Sequence, residues 1–200
     1  MAPRPDVSQE RKEQIIDAAT QVFSRAGYEK ARMDDIAEAT GVSKGTLYWY
    51  FKNKDALLMA ILDKLLDREL SALRKLDQGS GSAVRQLRKA VDLTIADFKK
   101  VEPLAPLVFE FFSRARRHNL IQKTIQTYFT NYIEVLDSII LRGMEQGEFK
   151  VGNPREVSIA VGAILEGTFL LQVYDSQIVH LEEHIRSSIS LLLEGIIIKS

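Results

Sequence analysis

Cysteine is absent from the 200 residues. Disulfides, thiolate metal sites and thiol redox sensing are therefore excluded, and a reducing cytoplasm is the expected setting. Net charge is missing as well, because 27 basic and 27 acidic residues cancel. No global basic field points to nucleic acid, so any DNA contact must come from a local patch. Long hydrophobic runs are scarce. No segment reaches the roughly 18 apolar residues of a membrane span, and the nearest, Val157 to Val173, is interrupted by Gly162, Glu166 and Gly167. Met1-Ala2-Pro3-Arg4-Pro5 has no apolar stretch behind it, so it does not read as a secretory signal. No Gly-x-Ser-x-Gly, phosphate-binding glycine loop or other nucleophile constellation occurs, so neither an enzyme nor a cofactor is expected.

What is present is a chain with 46% hydrophobic residues, ample for a core, and helical periodicity almost throughout. The spacing predicts an all-α fold. A first helix covers Ser8 to Arg25, with Ile15, Ala19, Val22 and Ala26 as a stripe beside Ile16 and Phe23, and Gly27 as its stop. A short second helix covers Met33 to Thr40 and ends at Gly41. A third opens at Ser43 and reaches about Tyr50. A long fourth helix opens at Lys54 or Asp55, with Leu58, Ile61, Leu62, Leu65, Leu66, Leu70, Leu73 and Leu76 as its apolar stripe. Gly79-Ser80-Gly81-Ser82 reads as a loop. Further helices are expected over Ala83 to Lys100, Leu104 to Arg117 and Asn119 to about Gln146. Asn153-Pro154-Arg155-Glu156 has the cap, proline and acid of a helix start, for a helix to about Tyr174. The last helix spans Leu181 to Ile198.

Ile36 to Lys54 carries the functional signal. A helix-turn-helix needs a small residue where its helices touch, a residue tolerant of positive φ in the turn, and an inward apolar residue on the second helix. Ala37, Gly41 and Leu47 meet these needs, with Ile36 and Val42 adding core contacts. The outward positions suit DNA: Ser43 and Thr46 can bond phosphates or bases, Lys44 can reach a guanine edge, and Gly45 allows close backbone approach. Tyr48, Trp49 and Tyr50 are consecutive on a short helix, so at least one faces out, while Phe51 reads as core. Gly41 to Lys54 holds Lys44, Lys52 and Lys54 and no acid. Asp34 and Asp35 fall instead at the start of the second helix, where they complement its dipole.

Asp34-Asp35-Ile36-Ala37, followed by Gly41-Val42-Ser43-Lys44-Gly45-Thr46-Leu47-Tyr48-Trp49-Tyr50-Phe51-Lys52-Asn53-Lys54, resembles the N-terminal signature of the TetR (tetracycline-repressor-like) family. Ala18-Ala19, Phe23 and Gly27-Tyr28 fit the same pattern. The resemblance implies a helix-turn-helix DNA-binding domain over residues 9–69, with its recognition motif at about 32–51. It implies an all-helical effector-binding and dimerisation domain over 70–200. Lys44, Gly45, Thr46, Tyr48 and Tyr50 would line the groove, and Lys54 would hold a phosphate. Ser43, Trp49 and Lys52 join the expected DNA contacts. Arg32 departs from the pattern. Family members usually cap the second helix with Thr or Ser, and arginine cannot accept the orphan N–H bonds. The cap is therefore weaker or differently made, leaving Arg32 to reach a phosphate or the minor groove, or to lie in solvent.

The expected function is a sequence-specific transcriptional regulator, a repressor released from a palindromic operator by an unidentified small molecule. A ligand-independent DNA-binding regulator and a pure helical interaction module are the alternatives. His180-Leu181-Glu182-Glu183-His184 matches a short zinc-hydrolase pattern, but no third ligand is evident and a solvated helix start is the expected reading, with no metal. Candidate ligand-pocket residues are Phe98, Phe109, Phe112, Tyr128, Tyr132, Phe169 and Tyr174, with Glu110, Arg114 or Glu166 as polar anchors. The apolar last helix and the small residues before it point to a homodimer through Ala160, Gly162, Ala163, Gly167, Ile185, Ile189, Leu192 and Ile196. The long fourth helix would be the lever between ligand and DNA.

Overall fold

A computed structural model describes residues 7–77 and 81–198. Met1 to Pro5, and Gly79 and Ser80 of the glycine-serine loop, lie outside the described residues. The chain is helical: α1 (Val7–Ala26), α2 (Met33–Thr40), α3 (Lys44–Tyr50), α4 (Lys54–Asp77), α5 (Ala83–Val101), α6 (Ala105–Ala115), α7 (Asn119–Glu145), α8 (Pro154–Tyr174) and α9 (Leu181–Ile196), with a 3-10 turn at Glu102–Leu104. Extended pairing among the described residues is limited to one isolated antiparallel bridge, Phe149 to Ile197.

The chain divides into two compact units. The first contains the residues up to Leu66 together with Pro103–Thr124. Its core forms where α1 packs on α2 and α6, and α2 on α3. Ile15, Ile16, Ala19 and Phe23 of α1 are buried there with Ile36, Ala37, Leu47 and Phe51. The buried stripe of α1 runs through Phe23, while Val22 is half-buried and Ala26 exposed.

The second unit holds Asp67–Glu102 and the residues from Ile125 onward. Here α8 packs on α5 and α9. By length and mean hydropathy (1.6 over its best window) α8, which contains the Val157 to Val173 stretch, is long and apolar enough to cross a membrane. Within the unit it buries Ser158, Val161, Gly162, Leu165, Thr168 and Phe169. Asn153 caps α8 as expected, its side-chain oxygen accepting the Arg155 N–H at 3.0 Å.

The last helix stops two residues short of the expectation. Lys150 N–H donates to the Ile196 carbonyl at 2.7 Å, and Ile198 N–H to that of Glu148 at 3.0 Å. After Ile196 the β-branched Ile197 and Ile198 leave the helix for a short extended pairing, a conformation their side chains favour. Glu148 also accepts from the Ser82 hydroxyl at 2.7 Å and from the Val84 and Ala83 amides at 3.0 and 3.2 Å, at the start of α5. Burial opposes its charge, but these three bonds prevail and hold its carboxyl below the usual range. Phe149 packs directly on Gly143, where any side-chain carbon would collide with the ring.

Candidate nucleic-acid interface

The turn between α2 and α3 depends on Gly41, which adopts the left-handed conformation at φ 70°. Val42 N–H donates to the Ala37 carbonyl at 3.2 Å and Gly41 N–H to that of Glu38 at 3.1 Å, closing α2. Its other end is capped from the opposite direction to the usual one. Arg32 lies at the cap position with an extended backbone, and its N–H donates to the Asp35 carboxylate at 2.8 Å. Asp35 thus performs the acidic half of a capping box, and the Arg32 side chain remains exposed.

Ser43 caps α3, its hydroxyl oxygen accepting the Thr46 N–H at 3.1 Å. The two hydroxyls share a further hydrogen bond at 2.8 Å. Leu47 points inward and is fully buried. The opposite face is open: Ser43, Lys44, Gly45 and Thr46 are exposed, as are Tyr48 at 48% and Trp49 at 73%. A side chain added at Gly45 would meet nothing closer than the Ser43 hydroxyl at 3.9 Å, so a duplex can approach the backbone there. The rings of Trp49 and Tyr50 meet edge to face at 4.6 Å, and the Tyr50 hydroxyl donates to that of Ser8 at 3.5 Å. Phe51 is buried.

The cations of this face differ in what holds them. Lys52 is exposed. Lys44 is paired with Asp34 at 2.8 Å, which holds the Asp34 carboxyl below its usual range. Lys54 is tied down more firmly, its ammonium donating to the carbonyls of Tyr28 and Glu29 at 2.8 and 3.1 Å while lying 4.6 Å from the Tyr28 ring centroid. Asn53 caps α4 by accepting the Ala56 N–H at 2.9 Å.

Tyr28 is the centre of a second arrangement in this unit. Its hydroxyl donates to Asp55 at 2.6 Å. Burial, then the Asp55 carboxylate, pushes its phenol well above the usual range. Arg114 of α6 covers the ring, and its nitrogens donate to Glu110 at 2.6 Å, Glu29 at 2.7 Å and Asp55 at 3.1 Å. Arg114, expected as a ligand anchor, has every nitrogen position of its guanidinium serving a carboxylate of the first unit.

The other pocket candidates separate. Phe109 and Phe112 belong to α6 in the first unit, half-buried and exposed respectively. Tyr174, at the end of α8, is 75% exposed. Phe98, Tyr128, Tyr132, Glu166 and Phe169 all belong to the second unit, where the phenylalanines and the tyrosines form two pairs and Glu166 lies near the tyrosines. Phe98 stacks on Phe169 at 4.6 Å, and Tyr128 lies 5.9 Å from Tyr132. The member that sequence reasoning missed is Glu69 of α4. It is buried, and one of its oxygens accepts the Tyr128 hydroxyl at 2.6 Å. A carboxylate three residues after Leu66 and four before Leu73, on the apolar stripe itself, was the available signal. His180 stands at the N-cap of α9 without a side-chain cap bond, and His184 is exposed, 3.5 Å from the Ser188 hydroxyl.

Of the expected dimer residues, Ile185 and Ile189 are consumed by the core of their own unit. Gly162 is buried too, beneath the side chains of Ile133 and Tyr132. Ala160, Gly167, Leu192 and Ile196 are half-buried, and Ala163 is exposed. The open apolar face is a neighbouring one. On α8 it comprises Ile159, Ala163, Leu170 and Tyr174, spaced by four, seven and four residues. Leu191 on α9 and Ile198 just beyond its end are exposed as well.

Residues 15–61 match the profile of bacterial regulatory proteins of the tetR family. Residues 82–197 match that of the QacR-like protein C-terminal region. The chain belongs to the tetR family. This TetR-family chain is 28% identical over 92% of its length to the fatty acid metabolism regulator protein of Bacillus subtilis, covering 94% of that protein. It is 29% identical over 75% of each chain to the uncharacterized HTH-type transcriptional regulator YfiR of the same organism. The crystal structure of the Bacillus subtilis transcriptional regulator FadR in complex with stearoyl-CoA superposes with a TM-score of 0.71 and 26% identity, covering 92% of this chain and 98% of that one. The all-helical fold with an N-terminal helix-turn-helix is that of the family, and the chain is a DNA-binding transcriptional regulator.

Proposed function

We propose that this TetR-family protein represses transcription by binding a palindromic operator as a homodimer and leaves it when a small molecule occupies the second unit. The observation that carries the reading is the division of labour on α3. Leu47 and the left-handed Gly41 anchor the helix, while Lys44, Gly45, Thr46, Tyr48 and Trp49 form one solvent-facing surface. Ser43 and Tyr50 flank that surface, and Lys52 and Arg32 supply phosphate contacts at its edge. Lys54 has two of its ammonium hydrogens committed to carbonyls, so a phosphate would take the third.

Two recognition helices about 34–36 Å apart read successive major-groove turns, which requires a two-fold symmetric pair and a palindromic site. The apolar stripe on α8, with Leu191 of α9 and Ile198 beyond that helix, supports the pairing, since an open face of this kind is stabilised by a second copy. Residues 9–69 serve as the DNA-binding domain and 70–200 for effector binding and dimerisation. Residues of α6 contribute to the first compact unit as well. An effector releases DNA by binding better to a conformer whose helices no longer match the groove spacing, which takes a differential affinity of a few kcal/mol. The stearoyl-CoA bound by the FadR relative supports the presence of an effector here. A soluble regulator of this kind works in the cytoplasm.

Selection of genomic fragments by the purified protein at near-physiological salt, followed by footprinting, tests the reading. Enrichment of a few palindromic sites is expected, lost in the Lys44→Ala/Tyr48→Ala double variant. Equal recovery by parent and variant would overturn it.

A further inference from the structure

The corner between α6 and α7 is basic. From Phe111 to Thr124 the chain holds Arg114, Arg116, Arg117 and Lys123, with His118 among them, and no acid. It is an acid-free stretch like Gly41 to Lys54, and it belongs to the same compact unit. Cations at the end of a helix complement its dipole, and Arg116 and Arg117 do follow α6. The same two residues stand just before the N-terminus of α7, whose dipole repels cations. Helix ends alone therefore give them no net reason to be basic.

The corner is firmly held. Phe111 and Ile121 are buried on either side of it. The Arg117 and His118 amides both donate to the Arg114 carbonyl, at 2.8 and 2.9 Å, so the chain turns tightly there. Arg114 is fixed in turn by Glu29, Asp55 and Glu110. Those carboxylates are thereby engaged. Arg116, Arg117 and Lys123 are exposed and make no ion pair among the described residues. A backbone fixed in this way presents its cations without a further cost of ordering the loop.

The corner is also continuous with the face expected at DNA. Asp55, which holds Arg114, follows Lys54 in α4. Glu29 receives Arg114 on its carboxylate and the Lys54 ammonium on its carbonyl. Lys54 and Arg114 share the Tyr28 ring. Arg116 and Arg117 thus begin two residues beyond a guanidinium that touches the first turn of α4, where Lys52 and Lys54 are read as phosphate contacts. A duplex carries a charge every 1.7 Å or so (about one per step along its axis), so its backbone continues past those contacts. The planar guanidinium fork matches a phosphate. Phe112 and Leu120 are exposed at the same corner, a feature an anionic membrane would use, but the continuity with Lys54 favours DNA.

We propose that Arg116 and Arg117, with Lys123 behind them, form a second phosphate-binding surface that holds the DNA backbone outside the major groove read by α3. The inference rests on the operator-binding reading of α3 and extends its footprint. These contacts carry no sequence information. They add affinity for any duplex and leave the choice of operator to α3.

Titration of a labelled mixed-sequence duplex of about 40 base pairs, between roughly 50 and 200 mM salt, decides it. The proteins compared are the full chain, Arg116→Ala/Arg117→Ala, Arg116→Lys/Arg117→Lys and Lys44→Ala/Tyr48→Ala. The alanine pair at the corner is expected to lower the magnitude of the log–log salt slope by about 2 and to weaken binding about 10-fold at the low-salt end. The lysine pair should keep most of the slope, because it keeps the charge. On an operator recovered by fragment selection, the corner variant should lose affinity by the same factor as on the mixed duplex, whereas Lys44→Ala/Tyr48→Ala should lose more on the operator. A role confined to the helix ends would shift the melting temperature of the alanine pair and leave its salt slope at the parent value, which would overturn the proposal. Loss of sedimentation with phosphatidylglycerol vesicles in place of any change on DNA would overturn it too, and assign the corner to a membrane. A parent that binds both duplexes with a slope equal to the corner variant's sinks the corner alone. A parent that binds neither duplex sinks the operator reading with it.

Discussion

The guanidinium of Arg114 lies 4.1 Å from the centroid of the Tyr28 ring, and the Lys54 ammonium lies 4.6 Å from that centroid. The two cations are offset by carboxylates at Glu29, Asp55 and Glu110. This cluster joins α6 to the start of α4 within the first unit. Arg114→Ala is expected to destabilise the chain by about 1–2 kcal/mol, a value held down by the exposure of Glu29 and Asp55. Arg114→Lys should recover less than half of the loss, because an ammonium cannot serve three separated carboxylates through a planar fork. Denaturant unfolding of the three proteins checks both figures.

Lys44 and Asp34 pair across the helix-turn-helix in the absence of DNA. A phosphate must displace Asp34 before it can take Lys44. Asp34→Asn is therefore expected to raise operator affinity about 2- to 5-fold with little change in stability, as the pair is exposed. Lys44→Ala should lower affinity and reduce the magnitude of the log–log salt slope by about 1. Titrations of labelled operator between 50 and 200 mM salt, roughly the range over which such slopes are read, measure both.

Glu69 and Glu166 make stability fall with rising pH. Their carboxyls titrate at about 7 and about 8 in the folded chain, above the ordinary 4.5. Between these limits the folded chain holds protons that the unfolded chain has released. Stability is thus greatest toward the acid end of that window and declines as the pH passes through about 7 to 8. The Glu69→Gln/Glu166→Gln variant should lose this decline. At pH 8.5 it should melt about 4–8 °C above the parent, corresponding to about 2 kcal/mol for a chain of this size. Melting curves from pH 5 to 9 give the comparison.

The α8 stripe predicts an assembly defect. Leu170→Arg and Ala163→Arg each place a charge on the exposed face shared with Ile159 and Tyr174. Sedimentation at low micromolar concentration should show monomers for both and dimers for the parent. Operator affinity should fall with the dimer, while helical content is unchanged.

Much of this architecture was legible along the chain because its signals are local. Asn153-Pro154 declares a helix start. Gly41 declares a left-handed turn. Ala37 and Leu47 fall inward by their spacing alone. Glu69 was hidden because a stripe is recognised by its apolar members, and one acid among eight leucines and isoleucines reads as an interruption. The role of Arg114 depends on Tyr28 and Glu29, more than eighty residues earlier, so no periodicity announces it. The Arg32 cap was anticipated only as unusual, since the residue that completes it is Asp35, already accounted for by the helix dipole. Ile197 and Ile198 suited the apolar face of α9 equally well as helix or as extended chain, and the choice was made by backbone groups at Glu148 and Lys150.

That last contact turns the end of α9 into a clasp. Glu148 grips the first turn of α5, Phe149 is pressed onto Gly143, and Lys150 and Glu148 hold the residues on either side of Ile197. Three stretches of chain, separated by some fifty residues or more, are buckled at one point. Loss of Ile196 to Ile198 would leave the Lys150 amide and the Glu148 carbonyl without these partners, and would loosen the segment whose carboxylate holds the beginning of α5.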